Sequence, residues 1–144
     1  LDITNAFNTL PWPEIGRALV HHGVLVYLRR ILSAYFGGRD LAFTKEGGVQ
    51  GWRTMERGIP QESVLGPLLW DIAFDRVLRT PLPDSCHVVC YADDTLVVAE
   101  GENWGDARLR AEAAVVSVVG TIGDLGLKVA PLKTEAVYFH DGSR

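Results

Sequence analysis

Two adjacent acids, Asp93 and Asp94, interrupt an otherwise apolar, β-branched stretch, HVVCYADDTLVVAE, that runs from His87 to Glu100. The flanking runs have the composition of buried strands, so the acids sit on a turn anchored to a core. Asp is common in turns because its carboxylate bonds nearby N–H groups. This turn, however, lacks the Gly or Asn that tight hairpins favour. A third acid, Asp2, lies in another strand-like segment, LDITNAF. Carboxylates converging from two strand ends would bind a hard divalent cation such as Mg²⁺, which takes oxygen ligands from one or two carboxylates and from substrate phosphates. Two such ions about 3.5–4 Å apart can activate an attacking oxygen and stabilise a leaving one.

The remaining chain must position these acids. PWPEIGRALVHHG reads as a helix with Pro13 in its first turn and Gly23 as its stop, and VLVYLRRILSAYFGG as a second helix ended by Gly37 and Gly38. DLAFTKEGGVQGWRTMERG alternates about a Gly-Gly turn and predicts a hairpin. SVLGPLLWDIAFDRVLRTP predicts a helix with Leu65, Leu68, Leu69, Ile72 and Ala73 on its apolar face. The acidic stretch is a second hairpin, His87–Tyr91 and Thr95–Ala99. Asn103 can cap a long helix whose stripe includes Trp104, Ala107, Ala111, Ala114, Val115, Val118, Ile122 and Leu125. LKVAPLKTEAVYF predicts two short strands around Pro131. Helices and hairpins in this order point to an α+β domain.

The 144 residues, 47% apolar and 22% charged, suffice for one domain with a real core. No apolar run is long enough to cross a membrane, and the first residues lack the pattern of a signal peptide. Cys86 and Cys90, four apart on one strand, would lie about 13 Å apart, too far for a disulfide, and read as buried structural thiols in a reducing compartment. The net charge of −4 weighs against nucleic-acid binding, because such domains are more often basic. Arg29, Arg30, Arg53 and Arg57 could touch phosphates but read better as solvated charge.

The motifs together resemble reverse transcriptases. YADD, Tyr91 to Asp94, is similar to the catalytic hairpin of that family. LDITNAF resembles its first palm motif, RGIPQESVLGPLLW its second, and GLKVAPLKTEAV its fourth. All four occur in the family's order, at 1–8, 57–70, 88–98 and 124–138, within one domain spanning 1–144. The wording of NAFN, SVLGPLLW and KTEAV is similar to non-LTR (LINE-type) retrotransposons, with the type-1 elements that insert into ribosomal RNA genes the nearest branch.

The resemblance implies a polymerase palm, an antiparallel sheet with a catalytic hairpin packed on helices. It is incomplete here, lacking most of the fingers and the thumb, as in a piece of a larger polyprotein. It implies an RNA-directed DNA polymerase that joins a dNTP to the 3′-hydroxyl of a DNA primer on an RNA template. Asp2 and Asp93 would be the main ligands of two Mg²⁺ ions, with Mn²⁺ a substitute, and Asp94 a weaker partner. Lys133 matches a lysine that protonates the departing pyrophosphate. Phe7 matches the ring that excludes a ribose 2′-hydroxyl, and Gln61 a residue that contacts nucleotide or template. Gly58, Pro60, Ser63 and Gly66 would shape that loop, with Gly58 at positive φ and Ser63 capping the helix. Tyr91 would pack below the site near the primer end. An endonuclease elsewhere in the polyprotein, no membrane, and intracellular, nuclear action follow from the same resemblance.

One position departs from the pattern. Glu62 stands where the family has Gly after Pro-Gln, adding bulk and negative charge beside an anionic triphosphate, so this copy is expected to be impaired. Two other readings stay open: a decayed, non-catalytic remnant that only binds nucleic acid or protein, and a palm-like nucleotidyl cyclase. PQESVLGP and KTE count against the cyclase, and intact Asp2, Asp93 and Asp94 against old decay.

Overall fold

The computed structural model describes residues 1–60 and 63–139. Gln61 and Glu62 lie outside the described residues. Helix α1, Ala6–Thr9, is a single turn, followed by α2, Trp12–His21, and α3, Val26–Phe36. Pro13 occupies the first turn of α2, where its missing N–H costs nothing, and Gly23 follows the helix at φ 66°. Strands β1, Asp40–Thr44, and β2, Gln50–Thr54, form the expected hairpin about Gly47 and Gly48. Its described side chains are exposed along both strands apart from Gly51, across which the Phe43 ring lies.

Helix α4, Gly66–Leu78, carries the centre of the core. Its buried face comprises Leu69, Trp70, Ala73, Phe74 and Val77, whereas Leu68 is 54% exposed and Leu65 and Ile72 are only half-buried. The inward arc is thus rotated from the expected stripe. Helix α4 packs on α2 along one side and meets helix α5, Trp104–Asp124, and strand β3, Cys86–Tyr91, along the other. A helix with neighbours on two sides buries a wider arc than a surface helix does.

Strand β3 pairs antiparallel with β4, Asp94–Ala99. Cys86, Val88 and Cys90 face the core with Thr95 and Val97, while Val89, Leu96 and Val98 line an open apolar face. Helix α5 covers the inner face. Asn103 caps α5 as expected, its Oδ1 accepting from the Asp106 N–H at 3.1 Å. Hydrogen bonds from Arg110 and from the Glu102 N–H hold the Asp106 carboxyl below its ordinary range. Ala114, Val118, Ile122 and Leu125 are buried as the stripe requires. Trp104 is half exposed instead, its ring edge-on to Tyr138 at 4.5 Å.

The C-terminal expectation is corrected. In place of two strands, an isolated bridge joins Ile3 to Val129, a 3-10 turn spans Pro131–Lys133, and the remaining described residues to 139 are not paired as a strand. Pro131 starts the turn because it cannot donate to a ladder. Both cysteines are unpaired, Cys86 buried and Cys90 half-buried, and burial pushes both thiols up from their usual range. Among the described residues no helix is long and apolar enough to cross a membrane.

Candidate active site

The segment 1–4 is a rung between two distant parts of the chain. On one side the Leu1 nitrogen donates to the Thr95 carbonyl at 2.6 Å, and the Thr95 N–H returns a bond to the Leu1 carbonyl at 3.2 Å. On the other, the Thr4 N–H reaches the Lys128 carbonyl and the Ala130 N–H the Asp2 carbonyl, both at 2.8 Å. Ile3 is buried beneath this rung. Asp2 therefore stands one residue from the partner of Thr95, and Thr95 directly follows Asp94. The backbone brings the first motif beside the acidic turn, and the fourth motif beside the first.

Asp2 already has a cationic neighbour. Lys133 Nζ lies 3.3 Å from Asp2 Oδ2, with the Asp2 side chain half-buried and Lys133 largely exposed. The 3-10 turn at 131–133 carries the lysine back over the rung, so two expected site residues meet directly.

The second motif is fastened to α1. The Gly58 N–H donates to the Leu10 carbonyl at 2.8 Å and the Ile59 N–H to the Phe7 carbonyl at 2.7 Å, while Trp12 Nε1 donates to the Gly58 carbonyl at 2.8 Å. Gly58 takes φ 92°, and a Cβ there would lie 2.9 Å from the Asn8 carbonyl oxygen. Both the left-handed backbone and the contact exclude a side chain. Gly58→Ala is expected to destabilise the fold by about 2 kcal/mol or more. Urea unfolding checks this, and an unchanged midpoint would show that the loop can move aside. Ser63 does not cap α4, correcting the expectation. Leu65 precedes the helix without a side-chain cap, and Ser63 Oγ donates to the Pro60 carbonyl at 2.8 Å. The hydroxyl thus satisfies a carbonyl upstream of α4 and not an N–H of its first turn.

Phe7 is half-buried, with its ring stacked on Trp70 at 4.6 Å. Trp70 stacks in turn on Phe74 at 4.9 Å. Trp70 Nε1 donates to the carbonyl of Ala92, the first residue of the acidic turn, at 2.8 Å. Ala92 sits at φ 52°, a region that costs an L-residue about 1–2 kcal/mol. The turn has two residues, Ala92 and Asp93, with Asp94 opening β4 opposite Tyr91.

Tyr91 is 84% exposed, so its ring is not part of the core. Strand alternation puts its ring on the open face with Val89, whereas Cys90 and Val88 turn inward. Asp94 shares that outward side, and Asp93 is half-buried at the turn. Among the described residues, no three His, Cys, Asp or Glu side chains gather closely enough to hold a metal ion. The carboxylates are thus not preformed into a cage, because Asp94 faces outward and Asp2 is engaged by Lys133. Oxygen donors from Asp2 and Asp93 nonetheless suit a hard divalent cation in kind.

Trp70 escapes a reading for catalytic residue types because it has no titratable group. The available signal was a large aromatic with one polar atom, on a helix entering the core, which must find an acceptor when buried. Of the four arginines, Arg29 donates to the Val24 carbonyl at 3.0 Å, and the backbone of Arg57 bridges to Pro11.

This arrangement has the parts of a polymerase palm: a short antiparallel hairpin bearing two acids, a helix behind it, and a third acid on an adjoining rung. The chain belongs to the reverse transcriptase (RNA-dependent DNA polymerase) family, whose profile matches residues 1–142. Within that family it is of the R1, non-LTR type. It is 31% identical over 127 residues to the 115 kDa protein of type-1 retrotransposable element R1DM from Drosophila melanogaster, covering 85% of this chain and 12% of that protein. It is 26% identical over 98 residues to the retrovirus-related Pol polyprotein of element R1 from Bradysia coprophila, covering 68% of the chain and 10% of the relative. A Pol polyprotein of R1 from Nasonia vitripennis is 26% identical over 80 residues, 56% of this chain and 24% of its own length. The chain therefore spans a minor part of each of these relatives. No solved structure matches.

Proposed function

We propose that this chain forms the palm of an RNA-directed DNA polymerase that joins a dNTP to a DNA primer on an RNA template, as part of a retrotransposon polyprotein acting in the nucleus. An endonuclease in the same polyprotein would supply the nicked primer. The observation that carries this reading is the backbone pairing of Leu1 with Thr95, which sets Asp2 beside the Asp93-Asp94 turn. Asp2 and Asp93 would hold divalent cations, Mg²⁺ or in substitution Mn²⁺, with Asp94 a weaker partner. Bound there, the cations would neutralise triphosphate charge and favour the ionised primer hydroxyl. Lys133 would compete with a cation for Asp2 Oδ2, and from that position it would be available to the departing pyrophosphate. Phe7, fixed on Trp70, supports exclusion of a 2′-hydroxyl by a flat ring. Gln61, Ser63 and Tyr91 remain proposed nucleotide-side contacts, Ser63 through the shape of its loop.

Lys133→Met separates these roles. An exposed ion pair contributes about 0–1 kcal/mol, so stability should hardly change. The Mg²⁺ concentration for half-maximal activity should fall, because a competing cation is gone, while kcat falls about 100-fold if the lysine donates the proton. Primer extension across a Mg²⁺ series reads both, and an unchanged kcat removes Lys133 from the chemistry. The proposal itself is tested by primer extension on an RNA template with the complete polyprotein carrying this chain. Metal-dependent incorporation is expected. No incorporation with either ion, with nucleic-acid binding retained, would establish the decayed remnant instead, the reading that Glu62 favours.

A further inference from the structure

We infer that Trp70 is a positioning residue that fixes the acidic turn relative to Phe7 through its single N–H. This rests on the proposal that Asp93 and Asp94 serve the polymerase reaction. Three observations converge on the indole. It is 1% exposed and stacked on the rings of both Phe7 and Phe74, so close packing restricts its rotation. Its one donor is spent on the Ala92 carbonyl at 2.8 Å. Ala92 is the turn residue held at positive φ, where a non-glycine residue persists only if its surroundings enforce it.

The tie has a geometric consequence. Helix α4 is held in the core by Leu69, Ala73 and Val77. Trp70 transmits that rigid position in two directions, to the ring of Phe7 by stacking and to the carboxylate turn by a hydrogen bond. The ring that faces the sugar and the acids that face the triphosphate are thereby referenced to one side chain. Phenylalanine at 70 would keep an aromatic ring for the stack and remove the N–H; the small cavity it leaves acts on the core as a whole, whereas the lost N–H acts on the turn. The two roles can therefore be separated.

The test is Trp70→Phe in the complete polyprotein carrying this chain, read in two ways. Amide hydrogen exchange at Asp94, paired with Tyr91 at the end of the ladder, should quicken about tenfold, the loss of one net hydrogen bond, while amides in the middle of β3 and β4 keep their protection. That readout does not depend on activity. In the active parent, the Mg²⁺ concentration for half-maximal incorporation should rise several-fold and kcat per active site fall about tenfold, with ribonucleotide exclusion unchanged because Phe7 keeps its stacking partner. Unaltered exchange at the turn overturns the inference, as does faster exchange spread evenly over the domain, which would mark a purely structural tryptophan. An inactive parent bears on the proposed function alone, and the exchange result still decides the role of Trp70.

Discussion

Asp93→Asn in the complete polyprotein is expected to reduce nucleotide incorporation at least about 1,000-fold, some 4 kcal/mol of barrier. The substitution keeps the size and shape of the side chain and removes its charge. In the proposed site that charge is half of the anionic pair that would hold the metal, and an amide oxygen is a much weaker partner for a hard cation. The fold should survive. Asp93 occupies a two-residue turn whose backbone is held by β3–β4 pairing and by Trp70, and the turn does not depend on the carboxylate. Asp94→Asn should cost far less, about tenfold, because Asp94 opens β4 on the outward side beside Tyr91. Single-nucleotide primer extension at saturating dNTP compares the two. Equal losses would overturn the assignment of Asp93 as the principal ligand of the hairpin, and wild-type activity in Asp93→Asn would overturn the proposed site.

Glu62→Gly in the same protein is expected to raise incorporation at low dNTP about 50-fold. A carboxylate about 6 Å from the triphosphate, at an effective dielectric of about 20, costs about 2–3 kcal/mol of nucleotide binding. The structure fixes the flanks of this position. Gly58 is pressed on Asn8, Ile59 is buried and bonded to the Phe7 carbonyl, and Ser63 is bonded back to Pro60. A glycine restores both the missing space and the missing neutrality. The gain should appear in KM for the dNTP more than in kcat, since the charge opposes binding before chemistry. Equal KM values for the two proteins would show that Glu62 points away from the nucleotide and that this copy is not impaired there.

Wherever a feature depends on near neighbours in the chain, the sequence by itself determined it. The helices at 12–21, 26–36, 66–78 and 104–124 follow from periodicity, Pro13 and the Asn103 cap. The two hairpins follow from alternation and turn residues, and the positive φ of Gly58 from its place in the second motif. Asp93, Asp94 and Asp2 stood out as acids at strand ends, and the resemblance of the four motifs to reverse transcriptases added Phe7 and Lys133 as candidates. Only the tertiary structure decided how these residues stand to one another. It turned the face of α4 toward Trp70 and Phe74, left Tyr91 in the open, gave Ser63 to the Pro60 carbonyl, and replaced two expected strands by a single bridge and a 3-10 turn. It joined Leu1 to Thr95, Asp2 to Lys133, and Trp70 to Ala92. The reason is physical. Caps, turns and periodic stripes are set by residues within one or two turns of each other. A hydrogen bond between residues 1 and 95 depends on where every intervening helix packs, and no local pattern contains that information.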